Sequence, residues 1–130
     1  EVFAVVEEAV KQGVRNIVVT HPEHRVVGMT VDDQKRLLQA HPVLFERCFA
    51  QPAGGGAYRY NLAENLQAIR EVGHESTVIS TDSGQMETPY WSEGLSRYLD
   101  YLKEHGVTEA QLDHMTKTLP AKLLQLPTDK

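Results

Sequence analysis

Residues 77–85 read TVISTDSGQ: five residues of strand character run straight into an aspartate, Asp82. A carboxylate just past a strand caps the next helix, ligates a metal, or acts as a general base at the mouth of a parallel sheet. A second run, VVTHPEH, ends on His21 and places His24 three residues beyond. Pro22 disfavours helix at His21 and keeps it extended. Imidazole serves equally as a loop side chain bonded to backbone and as the commonest metal ligand, so both readings stand at His21 and His24. Within VLFERCFA, alternation sets Leu44, Glu46 and Cys48 against Phe45, Arg47 and Phe49. The second set is the more apolar and suits packing under helices, which turns Glu46 toward a polar lumen. An acid inside a strand is costly to bury unless paired or functional. Pairing of Glu46 with Arg47 or Arg25, and a catalytic role, are both open. Cys48 reads as a small buried hydrophobe rather than a nucleophile.

Other polar residues carry weaker signals. Gly54 to Gly56 lack the lysine and spacing of a phosphate-binding loop and read as a flexible loop. Arg59 and Tyr60 follow it and are candidate substrate contacts. His41, His74 and His105 fall on short connections and read as surface or capping residues, and His114 as a solvated helix residue. No Ser-His-Asp nucleophile elbow is present.

The elements that must position these groups alternate. Val2, Val5, Val6, Ala9 and Val10 mark one helical face, stopped at Gly13. NIVVT is a predicted strand, followed by a helix capped by Thr30 with Asp33 as its box partner. VLFERCFA is the second strand, and a helix opens on Asn61 with Glu64 three residues on. TVIST is the third strand. Helices then start near Trp91, at Thr108 with Gln111 as box partner, and at Pro120. Helix and strand in strict alternation imply parallel strands joined by right-handed crossovers. Connections from helix to strand are short, whereas HPEHRVVGM, QPAGGGAYRY and DSGQMETPY, leading from strand to helix, are long and polar. In parallel α/β folds the ligand sits at the carboxyl ends of the strands, and the elaboration lies on that side. Period-two alternation groups Ile17, Val19 and His21 on one strand face and Val78, Ser80 and Asp82 on another, and predicts that His21 and Asp82 share a cleft.

The chain has 130 residues, enough for a single domain with a modest core. A formal charge of −5 argues against a nucleic-acid or anionic-membrane partner. No apolar run is long enough to span a bilayer. One cysteine forms no internal disulfide, so a cytoplasmic location is the expectation. The chain begins at Glu1, inside a predicted helix, as a fragment, a processed product or a trimmed chain would.

VTHPEH, STDSGQ and the closing GVTEAQLDHMTKTLPAKLLQL resemble the C-terminal half of the amidohydrolase superfamily, metal-dependent hydrolases built on a (β/α)8 TIM barrel, and most of all its uncharacterised amidohydrolase-like members. The likeness covers nearly the whole chain. It implies that residues 1–130 are an α/β partial barrel whose strands are the sixth, seventh and eighth. It implies that His21 binds metal or orients substrate, and that Asp82 ligates the metal and takes a proton from the attacking water. The implied cofactor is a divalent metal, with zinc the first expectation, and the implied substrate a small molecule with an amide, ester or related bond. His24, Glu46 and Gln85 are then secondary candidates for substrate contact. The family's paired histidines of the first strand, the bridging residue of the fourth and the histidine of the fifth have no counterpart here. Three strands leave two open edges, so either an N-terminal half or further copies of the chain are expected to cover them. A non-catalytic half-barrel that oligomerises or binds a small ligand, and a doubly wound α/β domain in which Asp82 is only a cap, are the alternatives.

Overall fold

Ile17, Val18, Val19 and Thr20 are the residue types that fit a pleated, half-buried surface, and they form the first strand. The computed structural model of the chain describes residues 1–54 and 57–126. Its order is α1 (Val2–Lys11), β1 (Ile17–Thr20), α2 (Val31–Ala40), β2 (Val43–Cys48), β3 (Ala50–Gly54), β4 (Ala57–Tyr60), α3 (Leu62–Val72), a 3-10 turn (His74–Ser76), β5 (Thr77–Ser80), α4 (Trp91–Glu104), α5 (Glu109–Asp113), a π segment (His114–Thr118) and α6 (Leu119–Leu123). The expected α/β alternation of three parallel strands with helices is present: β1, β2 and β5 form one sheet in that order.

The register decides which side chains share a face. Val18 pairs with Leu44, Thr20 with Glu46, Glu46 with Val78 and Cys48 with Ser80. The opposite face carries Val19, Phe45, Arg47, Thr77 and Ile79, all buried. Every helix that contributes to the two core clusters packs on that second face. Val6 of α1 and Leu37 of α2 meet Val19 and Phe45. Leu66 and Ile69 of α3, and Tyr98 and Leu102 of α4, meet Ile79. The strand order never reverses and the helices lie on one side, so the sheet is singly wound. A doubly wound sheet needs a reversal and a second helical layer. The division of β2 into an apolar face and a face with Glu46 is as expected. The assignment of His21 by alternation is not, because Val19 lies on the helix-covered face.

The stretch read as a long loop after β2 is an antiparallel hairpin. Gln51 pairs with Arg59 and Pro52 with Tyr58, with an irregularity between Pro52 and Gly54. Chain direction changes at Phe49, whose amide donates to Ser80 O at 3.0 Å and whose carbonyl accepts from Asn61 N at 3.1 Å. The second strand is therefore shorter than VLFERCFA. The flexible loop expected at Gly54 to Gly56 falls largely on Gly55 and Gly56, which lie outside the described residues.

Helix ends follow the chemistry of their first residues, with one exception. Thr30 and Thr108 form full capping boxes with Asp33 and Gln111. Asn61 does not cap α3; its Oδ1 instead accepts from Arg59 Nε at 3.1 Å. Residues 109–123 run without a break through the π segment, and Pro120 falls in the first turn of α6. A proline lacks the amide that an α-helical ladder needs and clashes with the carbonyl four residues back. The wider turn of the π segment just before Pro120 fits that requirement.

Among the described residues, no strand pairs with the outer edges of β1 and β5. Beside β1, Val5 and Val26 are exposed and border an apolar groove of about 360 Å³ with Val2, Val18 and Val27. Open edges and exposed apolar groups favour association. Light scattering is expected to show species heavier than the 14.6 kDa monomer. A monodisperse monomer with a cooperative unfolding transition would count against that expectation.

Candidate functional site

His21 and Asp82 lie directly beyond the ends of β1 and β5, on either side of β2. Both have a left-handed backbone, with φ of 52° and 50°. Histidine and aspartate are among the few residues that tolerate this region. The turn takes His21 off the alternation of its strand, Asp82 stays on the face it shares with Ser80, and the two meet across the top of β2: His21 Nε2 lies 3.2 Å from Asp82 Oδ2. The expected shared cleft is therefore present, reached as expected by alternation at Asp82 and by a backbone turn at His21. Backbone bonds hold each turn. The His21 amide donates to Glu46 O at 3.1 Å, and its carbonyl accepts from His24 N at 2.9 Å. Past Asp82, Ser83 N donates to Thr81 Oγ1 at 3.3 Å.

The cleft around the pair has a volume of about 280 Å³ and is lined by Thr20, Glu46, Cys48, Ser80, Ser83 and Gln85 among others. Four of its residues are tied to one another in two pairs. Thr20 Oγ1 donates to Glu46 Oε2 at 2.8 Å, and Cys48 Sγ is 3.0 Å from Ser80 Oγ. Glu46 thus bonds to Thr20, not to Arg47 or Arg25. Gln85 lines the cleft as expected of a substrate contact. His24 sits beside it, its ring 6.1 Å from that of His21, with Nδ1 accepting from Val26 N at 3.2 Å. Arg59 is directed elsewhere: it bonds to Asn61 and Glu64, on the opposite side of β4 from Tyr58 and Tyr60. Tyr60 stacks near Phe49, 4.8 Å between ring centres. Tyr58, which the sequence did not single out, faces the site electrostatically. Burial pushes its phenol up, and the charges of Asp82 and Glu87 add to the effect.

Burial also pushes the Cys48 thiol up, to about 12, with the charges of Glu46 and Asp82 adding to it. A thiol held protonated is a poor nucleophile. Iodoacetamide at pH 8 is expected to modify Cys48 only as fast as the chain opens. Rapid stoichiometric labelling of the folded protein would contradict this. The sign for stability follows: the fold retains a proton that a free thiol loses near 9.0. This contribution is complete below that pH and is lost as pH rises toward 12.

On the helix-covered side of β2 lies a second polar group. The Arg47 guanidinium is fully buried and contacts Glu23, Gln34 Oε1 at 2.9 Å and Thr77 Oγ1 at 3.2 Å. Gln34 Nε2 donates to Glu23 Oε1 at 3.2 Å. Burial lowers the pKa of Arg47 and the carboxylate of Glu23 opposes that shift. A signal for this was present: an arginine on the apolar face of a strand demands a carboxylate on the same side. Glu46 is excluded because adjacent strand residues point to opposite faces.

The donor chemistry of His21 and Asp82 suits a divalent metal in part. Imidazole nitrogen and carboxylate oxygen are zinc ligands, and bond lengths near 2.0–2.2 Å place two ligands of a tetrahedral ion roughly 3.4 Å apart, close to the separation seen. The number of donors falls short. Among the described residues no group of three or more His, Cys, Asp and Glu side chains is placed to hold a metal. His21 Nδ1 is buried without a hydrogen-bond partner, whereas a metal-bound histidine ordinarily anchors its second nitrogen. The two residues would supply two ligands of such a site and leave at least one to come from beyond the described residues.

A sequence-family model described as a family of unknown function (DUF6282) matches residues 1–46. That stretch includes His21, His24 and Glu46 and stops short of Asp82. No curated protein and no solved structure matches the chain. No helix among the described residues is long and apolar enough to cross a membrane.

Proposed function

We propose that the chain contributes the His21–Asp82 half of a hydrolytic site, in a protein related to the amidohydrolase superfamily, that cleaves an amide, ester or related bond of a small molecule. The observation that carries this reading is the 3.2 Å approach of His21 Nε2 to Asp82 Oδ2 at the carboxyl ends of parallel strands. The singly wound sheet supports it, being the arrangement a barrel segment has. In this reading Asp82 accepts the proton of the attacking water, and His21 orients the carboxylate by donating Nε2–H to it. Gln85, Glu46 and His24 bind or orient substrate. In the metal-loaded state a divalent ion, zinc by preference, would take the place of that Nε2 proton and be held by His21 and Asp82 together with ligands from a further segment or a second copy. Such an ion supplies the charge that makes water a nucleophile at neutral pH.

A second reading rests on the count of donors. Two ligands do not make a catalytic metal site, which fits a non-catalytic half-barrel that binds a small ligand in the same cleft or assembles through its open edges. The two separate in one assay: turnover of a panel of amides, esters and lactones, with and without added zinc, by the chain in its complete assembly. Turnover lost on chelation and restored by metal supports the hydrolase. Ligand binding without turnover under both conditions supports the alternative.

A further inference from the structure

Between His21 and Glu23 the backbone crosses from one side of the sheet to the other. His21 reaches Asp82 in the cleft, and Glu23 reaches Arg47 beneath the helices. Pro22, between them, is fully buried, and its carbonyl accepts from Met29 N at 3.0 Å. A histidine at φ 52° persists only where its surroundings over-determine it. The backbone bonds of His21 account for its main chain. Further backbone bonds, from Val27 N and Gly28 N to His24 O, close the loop beyond Pro22, and Glu23 is the side chain that anchors it beneath the helices. That anchor is firm: a guanidinium stays protonated even when buried, so Arg47 requires a carboxylate, and Glu23 is the carboxylate it contacts. Gln34 of α2 bonds to both partners and fixes their spacing.

We propose that Glu23, clamped by Arg47 and Gln34, is the positioning residue that aims His21 at Asp82. Glu23 touches neither His21 nor the cleft and acts through the two-residue link across Pro22. The assignment rests on the proposed role of the His21–Asp82 pair. It adds that the direction of this pair is set from the opposite face of the sheet, by a buried ion pair that leaves the chemistry to others.

The test compares the full chain with Glu23→Gln and with the paired change Glu23→Leu/Arg47→Met. Glutamine keeps an oxygen for Arg47 and removes the charge. The paired change removes the clamp and leaves no orphaned charge, an exchange that buried ion pairs tolerate. The readout is the 15N shift of the His21 imidazole at fixed pH, with the shift in Asp82→Gly, which suits the left-handed backbone and removes the acceptor, as reference for a broken pair. Both variants are expected to unfold cooperatively yet show His21 shifts moved toward that reference. In an assembly with turnover, kcat is expected to fall roughly 10²-fold with KM little changed, the scale of a misplaced catalytic group. Wild-type His21 shifts in a folded Glu23→Gln chain would overturn the assignment and leave the hydrolytic reading standing. Moved shifts together with a wild-type protein that hydrolyses nothing would keep the assignment and sink that reading.

Discussion

Asp82→Asn is expected to lower turnover by roughly 10²–10⁴, the range for loss of a general base, with the fold preserved. Asparagine suits the backbone at this position, because it tolerates the left-handed region as readily as aspartate does. It also keeps an oxygen that accepts from His21 Nε2, so the contact across β2 survives. The lost property is the capacity to take a proton. If Asp82 were a structural partner of His21 and nothing more, the exchange would be close to neutral. Turnover and thermal unfolding measured on the same samples separate these cases. An unchanged melting transition with collapsed turnover is the expected pair of results. Unchanged turnover with unchanged melting would assign the carboxylate a structural role.

Glu23→Ala carries the largest expected effect on stability. It leaves Arg47, which has no exposed surface, without the carboxylate that balances its charge. Breaking a buried pair by removing one partner costs about 3–5 kcal/mol. Gln34 Nε2 loses its acceptor in the same change. Against a total stability of about 5–15 kcal/mol, that is a large fraction. Denaturant titration should show the midpoint lowered accordingly with little change in slope. A loss below about 1 kcal/mol would mean that water or another acceptor reaches the guanidinium, as at exposed pairs. The paired exchange with Arg47→Met should recover much of the loss.

The parallel sheet was legible because its signals are local. Two β-branched runs, two threonine capping boxes and glycines at helix ends each act within a few residues. Gly13, Gly73 and Gly106 all have positive φ just past a helix, where glycine costs least. The hairpin of β3 and β4 was not legible. Proline and glycine are depleted in strands, so in QPAGGGAYRY the strand propensity of Tyr58 and Tyr60 is outweighed by one proline and three glycines. Asn61 looked like a cap and is drawn away by Arg59, a neighbour that alternation places near it only once β4 exists.

The site was legible in its members but not in its geometry. His21 and Asp82 stand out as polar residues ending apolar runs. Alternation alone would have placed His21 under the helices with Val19. Its positive φ reverses that, and no residue pattern around VTHPEH announces it, since proline restricts the preceding residue toward extended conformations instead. Arg47 and Glu23 were missed as a pair because the partner lies 24 residues away, across a turn whose direction depends on the same left-handed histidine.

The central claim is that His21 and Asp82 act as one unit in hydrolysis, and a double-mutant cycle on turnover tests it most directly. Asparagine fits the left-handed backbone at both positions, so His21→Asn, Asp82→Asn and the double variant can be compared without backbone strain. Residues that act together lose most of their contribution at the first substitution. The account predicts that each single variant falls roughly 10²-fold or more and that the double variant is little worse than the poorer single one. Losses that simply multiply, or a single variant that turns over as fast as the wild type, would contradict it.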